Sequence, residues 1–187
     1  MITRASGFTL IELLVALAIF GILLMLAGPA YTQFMANHQI RNATEAMLNG
    51  VQAAQGAAVR GNTLARVLID TTTGTGGFQV LQTIEGAEPS PPNPIQVYSV
   101  KDGAPAATVT TVPGDARQVT FDGFGRLVPN ADASATLTCI KVAHPVTGSR
   151  KLNVAISIGV KAAVKLCDPA LTTNTPTEPL SCPSQCQ

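Results

Sequence analysis

The chain has 187 residues, a formal net charge of +1, 12% charged residues and no Trp. This length suffices for one apolar segment and a single globular domain of about 130 residues, and it leaves too little chain for two full domains. The balanced composition excludes a protein that selects its partner by overall acidity or basicity, so every charge argument has to be local.

The first element is an almost wholly apolar run over residues 8–27, in which Thr9, Glu12 and Gly21 are the exceptions. Such a run matches the roughly 20 residues that a helix needs to cross about 30 Å of hydrocarbon. Three interpretations are open: a cleaved secretory signal, a plain membrane anchor, and an anchor in which the acid has a purpose. The run exceeds the roughly 7–15 apolar residues of a secretory signal, and a carboxylate inside a span requires a partner.

The stretch "GFTLIELLVALAIFGILL" resembles the class III signal of type IV pilins and pseudopilins. The resemblance implies that residues 1–7 are a leader, that a prepilin peptidase cuts after Gly7 on the cytoplasmic side, and that the new terminal amine of Phe8 is methylated. Glu12 then lies where the family has the glutamate thought to neutralise the terminal amine of a neighbouring subunit. Pairing these charges removes most of the penalty that each would suffer in lipid.

The helix is predicted to continue beyond the membrane, with a transmembrane and filament-core half over residues 8–28 and an amphipathic half over 29–61. In the second half, apolar residues recur at steps of three or four and polar residues fill the opposite side. Gly28 and Pro29 predict a bend, because proline lacks the amide that the helix needs. A helix of this length, roughly 80 Å, is typical of a filament subunit or a stalk.

The orientation follows from the flanks of the apolar run. Arg4 precedes it and a long segment follows it, so the positive-inside tendency places the N-terminus in the cytoplasm. We therefore expect a single-pass protein of the bacterial inner membrane, with its C-terminal domain in the periplasm, that later joins a pilus or pseudopilus.

Residues 62–169 predict an all-β domain. Eight short apolar runs, separated by Gly-, Pro- and Asp-rich turns, read as strands with no helix between them: residues 63–70, 77–84, 94–100, 117–121, 125–128, 135–143, 151–158 and 160–167. An antiparallel sheet or pair of sheets accommodates them. The expected fold class is therefore α+β, with the long helix packed on an antiparallel β domain.

Two short stretches of this domain carry a second resemblance. "FDGFGR" and "KLCDP", in this order of strands, resemble the C-terminal part of the GspH/FimT-like family of pseudopilins and minor pilins. The resemblance implies a type IV pilin-like fold and assembly with other pilins or pseudopilins in a filament.

The four cysteines, Cys139, Cys167, Cys182 and Cys186, all lie in the last 50 residues. An even, clustered set after a membrane-directed segment favours disulfides over zinc, because no His stands at ligand spacing from any of them. We expect Cys139 to pair with Cys167 across neighbouring or facing strands, and Cys182 to pair with Cys186 within the Pro/Thr-rich tail of residues 170–187. The alternative ties one tail cysteine to the domain.

No catalytic arrangement of nucleophile, base and acid, no phosphate loop and no metal or cofactor motif is recognisable, so we expect a non-enzymatic structural subunit. The favoured function is a minor pilin that primes or tips a type IV pilus, and the alternative is a minor pseudopilin of a type II secretion system. A further alternative is a FimT-like DNA receptor, for which Arg150, Lys151, Lys161 and Lys165 are the candidate phosphate contacts. Against it, the family's arginine-rich Gly-Arg-x-Arg element is missing here.

Overall fold

One long helix, α1 (Leu10–Gly61), dominates the computed structural model, which describes residues 7–72, 76–82, 94–157, 162–171 and 178–187. Its 52 residues span about 78 Å at the usual rise per residue. The helix ends at Asn62, which adopts the left-handed conformation and donates its amide to the carbonyls of Ala58 and Val59. The helix continues through Pro29 without interruption, so the bend there stays a prediction.

The β domain contains two antiparallel sheets. The first sheet has the strand order β3-β2-β1-β5-β6 and the second has the order β4-β7-β8-β9. The strands of the first sheet are β1 (Ala65–Asp70), β2 (Gly77–Gln82), β3 (Gln96–Ser99), β5 (Gln118–Phe121) and β6 (Leu127–Val128). Those of the second are β4 (Thr108–Val112), β7 (Cys139–Ala143), β8 (Leu152–Ser157) and β9 (Ala163–Cys167). The predicted α+β fold class is confirmed.

The sequence interpretation missed β4. Its residues alternate Thr and Val, which is typical of a strand, and β4 pairs with β7 along its whole length. The short segment between β3 and β4 forms a 3-10 helix, Val100–Asp102, rather than a simple turn.

The second half of α1 packs against both sheets. Its buried stripe includes Ile40, Met47 and Val51, which are fully buried in one core with apolar residues from both sheets. Most other members of the stripe are small, and a Cβ added to Gly50 would come within 2.5 Å of the Phe78 ring. Small residues on this face therefore let the helix approach the first sheet closely.

The C-terminal tail forms a third layer on the second sheet. In the strand registers, two successive rows of side chains share the face opposite α1. The first row is Cys139, Ala155 and Lys165, and the second row is Lys141, Asn153 and Cys167. The tail covers this face with a second 3-10 helix (Ser184–Cys186), and the buried Asn153 amide donates to the carbonyl of Cys186 at 2.6 Å. Burial on both faces explains why β8 is buried along most of its length.

The predicted disulfide pairing is wrong. The structure pairs Cys139 with Cys186 and Cys167 with Cys182, with Cα–Cα distances of 5.4 and 4.9 Å. Strand β8 lies between β7 and β9, and Cys139 and Cys167 stand in successive rows of the sheet, so two strand spacings and an offset of two residues place their Cα atoms about 12 Å apart, beyond the reach of a disulfide. The alternative, in which the tail is tied to the domain, holds for both tail cysteines.

Candidate assembly interface

The apolar helix half begins at a capped turn that contains its acid. The Thr9 side chain accepts a hydrogen bond from the Glu12 amide at 3.3 Å, so Thr9 is the N-cap residue. Glu12 lies in the first turn, where a negative charge interacts favourably with the positive end of the helix dipole. Phe8 is 85% exposed immediately before this turn. Residues 1–6 of the predicted leader lie outside the described residues.

The first half of α1 is apolar on every side apart from Glu12, and it packs on no other segment among the residues that the structure describes. Among the described residues, α1 alone is long and apolar enough to cross a membrane, with a mean hydropathy of 2.8 over an 18-residue window that is entirely unburied. A helix that is apolar all round is stable only when lipid or other protein surrounds it. This surface is therefore suited to the membrane, to other helices, or to each in turn.

The second half of α1 is fastened to the domain by polar contacts at several levels as well as by its core. The Gln55 side-chain amide donates to the carbonyls of Gly125 (2.9 Å) and Ala162 (3.1 Å) near the far end of the helix. Nearer the membrane-spanning half, the Asn37 side-chain oxygen accepts a hydrogen bond from the Arg150 amide at 2.9 Å. Contacts at both ends of the packed half hold the domain and the protruding helix in a fixed relation.

Two family models match the chain. Residues 2–28 match the prokaryotic N-terminal methylation motif, and residues 43–159 match the family described as Type II transport protein GspH. The second match covers more than half of the chain.

The chain belongs to the GspH family. No curated protein matches its sequence. Among solved structures, the GspH-family chain is similar to the type IV minor pilin FimU of Pseudomonas aeruginosa, with 19% identity and a TM-score of 0.49 over 71% of this chain and 92% of FimU. It is also similar to the minor pseudopilin EpsH from the Type 2 Secretion System of Vibrio cholerae, with 12% identity and a TM-score of 0.49 over 71% of this chain and 99% of EpsH.

The "FDGFGR" stretch of this GspH-family chain is a rigid turn between β5 and β6. The Asp122 carboxylate accepts the amides of Phe124 (3.0 Å) and Arg126 (2.8 Å) and pairs with the Arg126 guanidinium. Desolvation raises the pKa of Asp122, but the hydrogen bonds from Arg126 and Phe124 outweigh it and leave this pKa below its ordinary value. The turn presents the Phe124 ring, which is 79% exposed and lies 5.0 Å from the Arg126 guanidinium carbon.

The candidate DNA contacts of the GspH-family chain do not converge on one face. Lys165 donates to the carbonyl of Ser181 at 2.9 Å, and Lys141, in the next row on the same face, donates to the carbonyl of Gln187 at 2.6 Å, so both hold the tail. Arg150 and Lys151 are exposed near the lower part of α1 instead. Lys161 lies outside the described residues. The anchoring role of the two tail-bound lysines could not be found from sequence, because it depends on where the tail returns.

Proposed function

We propose that the chain is a minor pilin, a non-enzymatic subunit that enters a type IV pilus through its N-terminal helix and acts in priming or at the tip of the fibre. One observation carries the proposal: α1 has an unburied apolar half that lies within the methylation-motif match over residues 2–28, while its other half is built into the domain. A helix arranged in this way can leave lipid and pack among other helices without disturbing its own domain.

The proposed processing assigns a role to each end of the first turn. Cleavage after Gly7 by a prepilin peptidase leaves Phe8 as the terminal residue, and methylation modifies its amine. Glu12 supplies the carboxylate that pairs with the terminal amine of a neighbouring subunit, because pairing lowers the free-energy cost that each charge has in an apolar filament core. Before assembly, residues 8–28 hold the subunit in the inner membrane, with the N-terminus in the cytoplasm and the domain in the periplasm.

The second candidate is a minor pseudopilin of a type II secretion system, which the description of the matching family favours. The same helix and processing serve either assembly, so the difference lies in which pilins or pseudopilins the domain contacts. Co-purification of the mature protein with its filament partners separates the two candidates: pilus subunits support the minor pilin, and secretion pseudopilins support the alternative.

The role of Glu12 is tested by Glu12→Val and by Glu12→Gln, which keeps the size of the side chain and removes its charge. Both variants are expected to insert into the membrane at least as well as the unaltered chain, because a carboxylate in a span is unfavourable. Both are expected to lose incorporation into sheared filaments, measured by immunoblot of filament and membrane fractions. Glu45→Gln, which removes an exposed carboxylate from the packed half of α1, is the matched control. Normal incorporation of Glu12→Val would contradict the proposal.

A further inference from the structure

The turn between β7 and β8, residues 144–151, lies against residues 33–37 of α1, at the start of the packed half. The carbonyl of Thr147 accepts a hydrogen bond from the Gln33 side chain at 3.3 Å, and the Arg150 amide donates to Asn37 at 2.9 Å. A Cβ added to Gly148 would come within 2.8 Å of the Gln33 side chain. These contacts fix the height of the turn along the helix.

That height is close to the end of the apolar run. Gln33 is six residues beyond Ala27, which corresponds to about 9 Å along a helix. The headgroup region extends about 5–7 Å beyond each side of the hydrocarbon core. A charged surface acts over a Debye length of about 8–10 Å at ordinary ionic strength. A membrane around residues 8–27 therefore places the turn within reach of lipid headgroups.

The chemistry of this end of the domain suits an anionic surface. Arg150 and Lys151 are exposed, and the sequence has no Asp or Glu between residues 133 and 167. Along α1, no acid occurs between Glu12 and Glu45. Positive charge at the cytoplasmic or periplasmic face of a membrane is attracted by phosphate-bearing lipids within this range.

Two carboxylates share a groove with Arg150, and both have other partners. Glu45 pairs with Arg41 at 2.7 Å, and the Asp168 carboxylate accepts the amide of Ala170 at 2.9 Å. The basic side chain of Arg150 is therefore not committed to either carboxylate by an ion pair within 4 Å in the described residues.

Exposed aromatic side chains mark the same level on the helix. Tyr31 is 64% exposed and Phe34 is 57% exposed, four and seven residues beyond Ala27. Aromatic residues concentrate at membrane interfaces, where an apolar ring meets a wet boundary. The helix thus presents exposed aromatic residues, and the turn presents exposed basic residues, at the level expected for the membrane interface.

We propose that the β7–β8 turn rests on anionic phospholipid headgroups while the subunit waits in the membrane, with Arg150 and Lys151 as its lipid contacts. The inference rests on the membrane anchoring in the proposed function. This contact keeps the domain close to the bilayer, and it is lost when the subunit enters a filament.

The test uses the full chain, which has no Trp, so Thr147→Trp places a single fluorescent reporter on the exposed tip of the turn. The protein is reconstituted in phosphatidylcholine vesicles with and without about 30% phosphatidylglycerol, and quenching by neutral acrylamide is measured. A basic residue near an anionic surface gains up to about fivefold in local affinity, so we expect quenching to fall by at least about twofold with the anionic lipid. Salt near 1 M, where the Debye length is about 3 Å, should restore quenching to the level seen without the anionic lipid.

Charge variants of the reporter protein locate the contact. Arg150→Gln and Lys151→Gln should each weaken the effect of the anionic lipid, and the bond to Asn37 survives because it uses the Arg150 backbone. Arg60→Gln is the matched control, because Arg60 is exposed about 50 Å along α1 from Ala27 and should leave the effect unchanged. Equal quenching in both vesicles, or an equal loss with Arg60→Gln, overturns the inference.

Flotation of the vesicles after an alkaline carbonate wash distinguishes failure of the turn contact from failure of membrane anchoring. Protein that floats and shows no lipid-dependent protection contradicts the turn contact alone. Protein that does not float contradicts membrane anchoring, and the turn contact falls with it.

Discussion

Removing cysteines in pairs tests how the tail is fastened to the domain. The Cys182→Ser/Cys186→Ser variant removes both tail cysteines and leaves Cys139 and Cys167. Since β8 separates these two residues, we expect two free thiols under denaturing conditions without reductant. A pairing of Cys139 with Cys167 would leave none, so the thiol count alone distinguishes the two arrangements.

The lengths of the loops that the two disulfides close also predict which disulfide stabilises the domain more. Cys139 and Cys186 are 47 residues apart in sequence, and Cys167 and Cys182 are 15 apart. Loop-closure entropy then gives about 4 kcal/mol for the first bond and about 3 kcal/mol for the second in the free energy of unfolding. We expect the Cys139→Ser/Cys186→Ser variant to be less stable than the Cys167→Ser/Cys182→Ser variant in urea denaturation of a soluble version that begins at Tyr31.

Each of these two variants keeps one native disulfide and should show no free thiol, which provides the control for the thiol assay. The reasoning is refuted if the variant that lacks both tail cysteines shows no free thiols. The entropic account is refuted separately if loss of the shorter loop costs clearly more stability than loss of the longer one.

Three further predictions concern the helix, the turn and nucleic acid. Met47→Ala should lower the free energy of unfolding by about 2–5 kcal/mol in urea titration, because Met47 is fully buried between α1 and the sheets, whereas the exposed Phe34→Ala should cost much less. The β5–β6 turn should keep its Asp122 contribution above the unfolded carboxyl pKa near 4 and lose it as pH falls through the lower folded pKa. The loss is measured as a lower protection factor of the Phe124 and Arg126 amides, which compares their hydrogen exchange with the intrinsic rate at the same pH, and an unchanged protection factor at acid pH would contradict this. If the chain were a DNA receptor, gel shifts of residues 36–187 with duplex DNA would appear at low salt; we expect none, since the tail engages Lys165 and leaves only Arg150 and Lys151 exposed among the described candidate contacts.

The long helix and the β domain could be predicted because their signals are local. An unbroken apolar run, a change to a 3.6-residue period and then short runs between turns each occupy adjacent residues in the sequence. The strand β4 is missing from the prediction although its alternation of Thr and Val is also local, because Gly- and Pro-containing segments flank this short run on both sides.

The disulfide pairing could not be predicted because it depends on strand order. Cys139 and Cys167 stand in strands that are close in sequence, and only the sheet topology shows that β8 separates them. The same holds for Asn153 and Lys165, whose polar groups bind tail carbonyls. Such contacts between distant residues leave no spacing in the sequence from which they could be inferred.

The disulfide pattern also has a consequence for the order of events in time. Each bond joins a strand cysteine to a tail cysteine, so neither can close before synthesis of the chain has reached residue 182. Until then neither Cys139 nor Cys167 has its native partner, and once β8 has paired between them it keeps them from oxidising each other. The second sheet thus keeps its two strand cysteines from pairing with each other, and both native bonds need the tail to be in place.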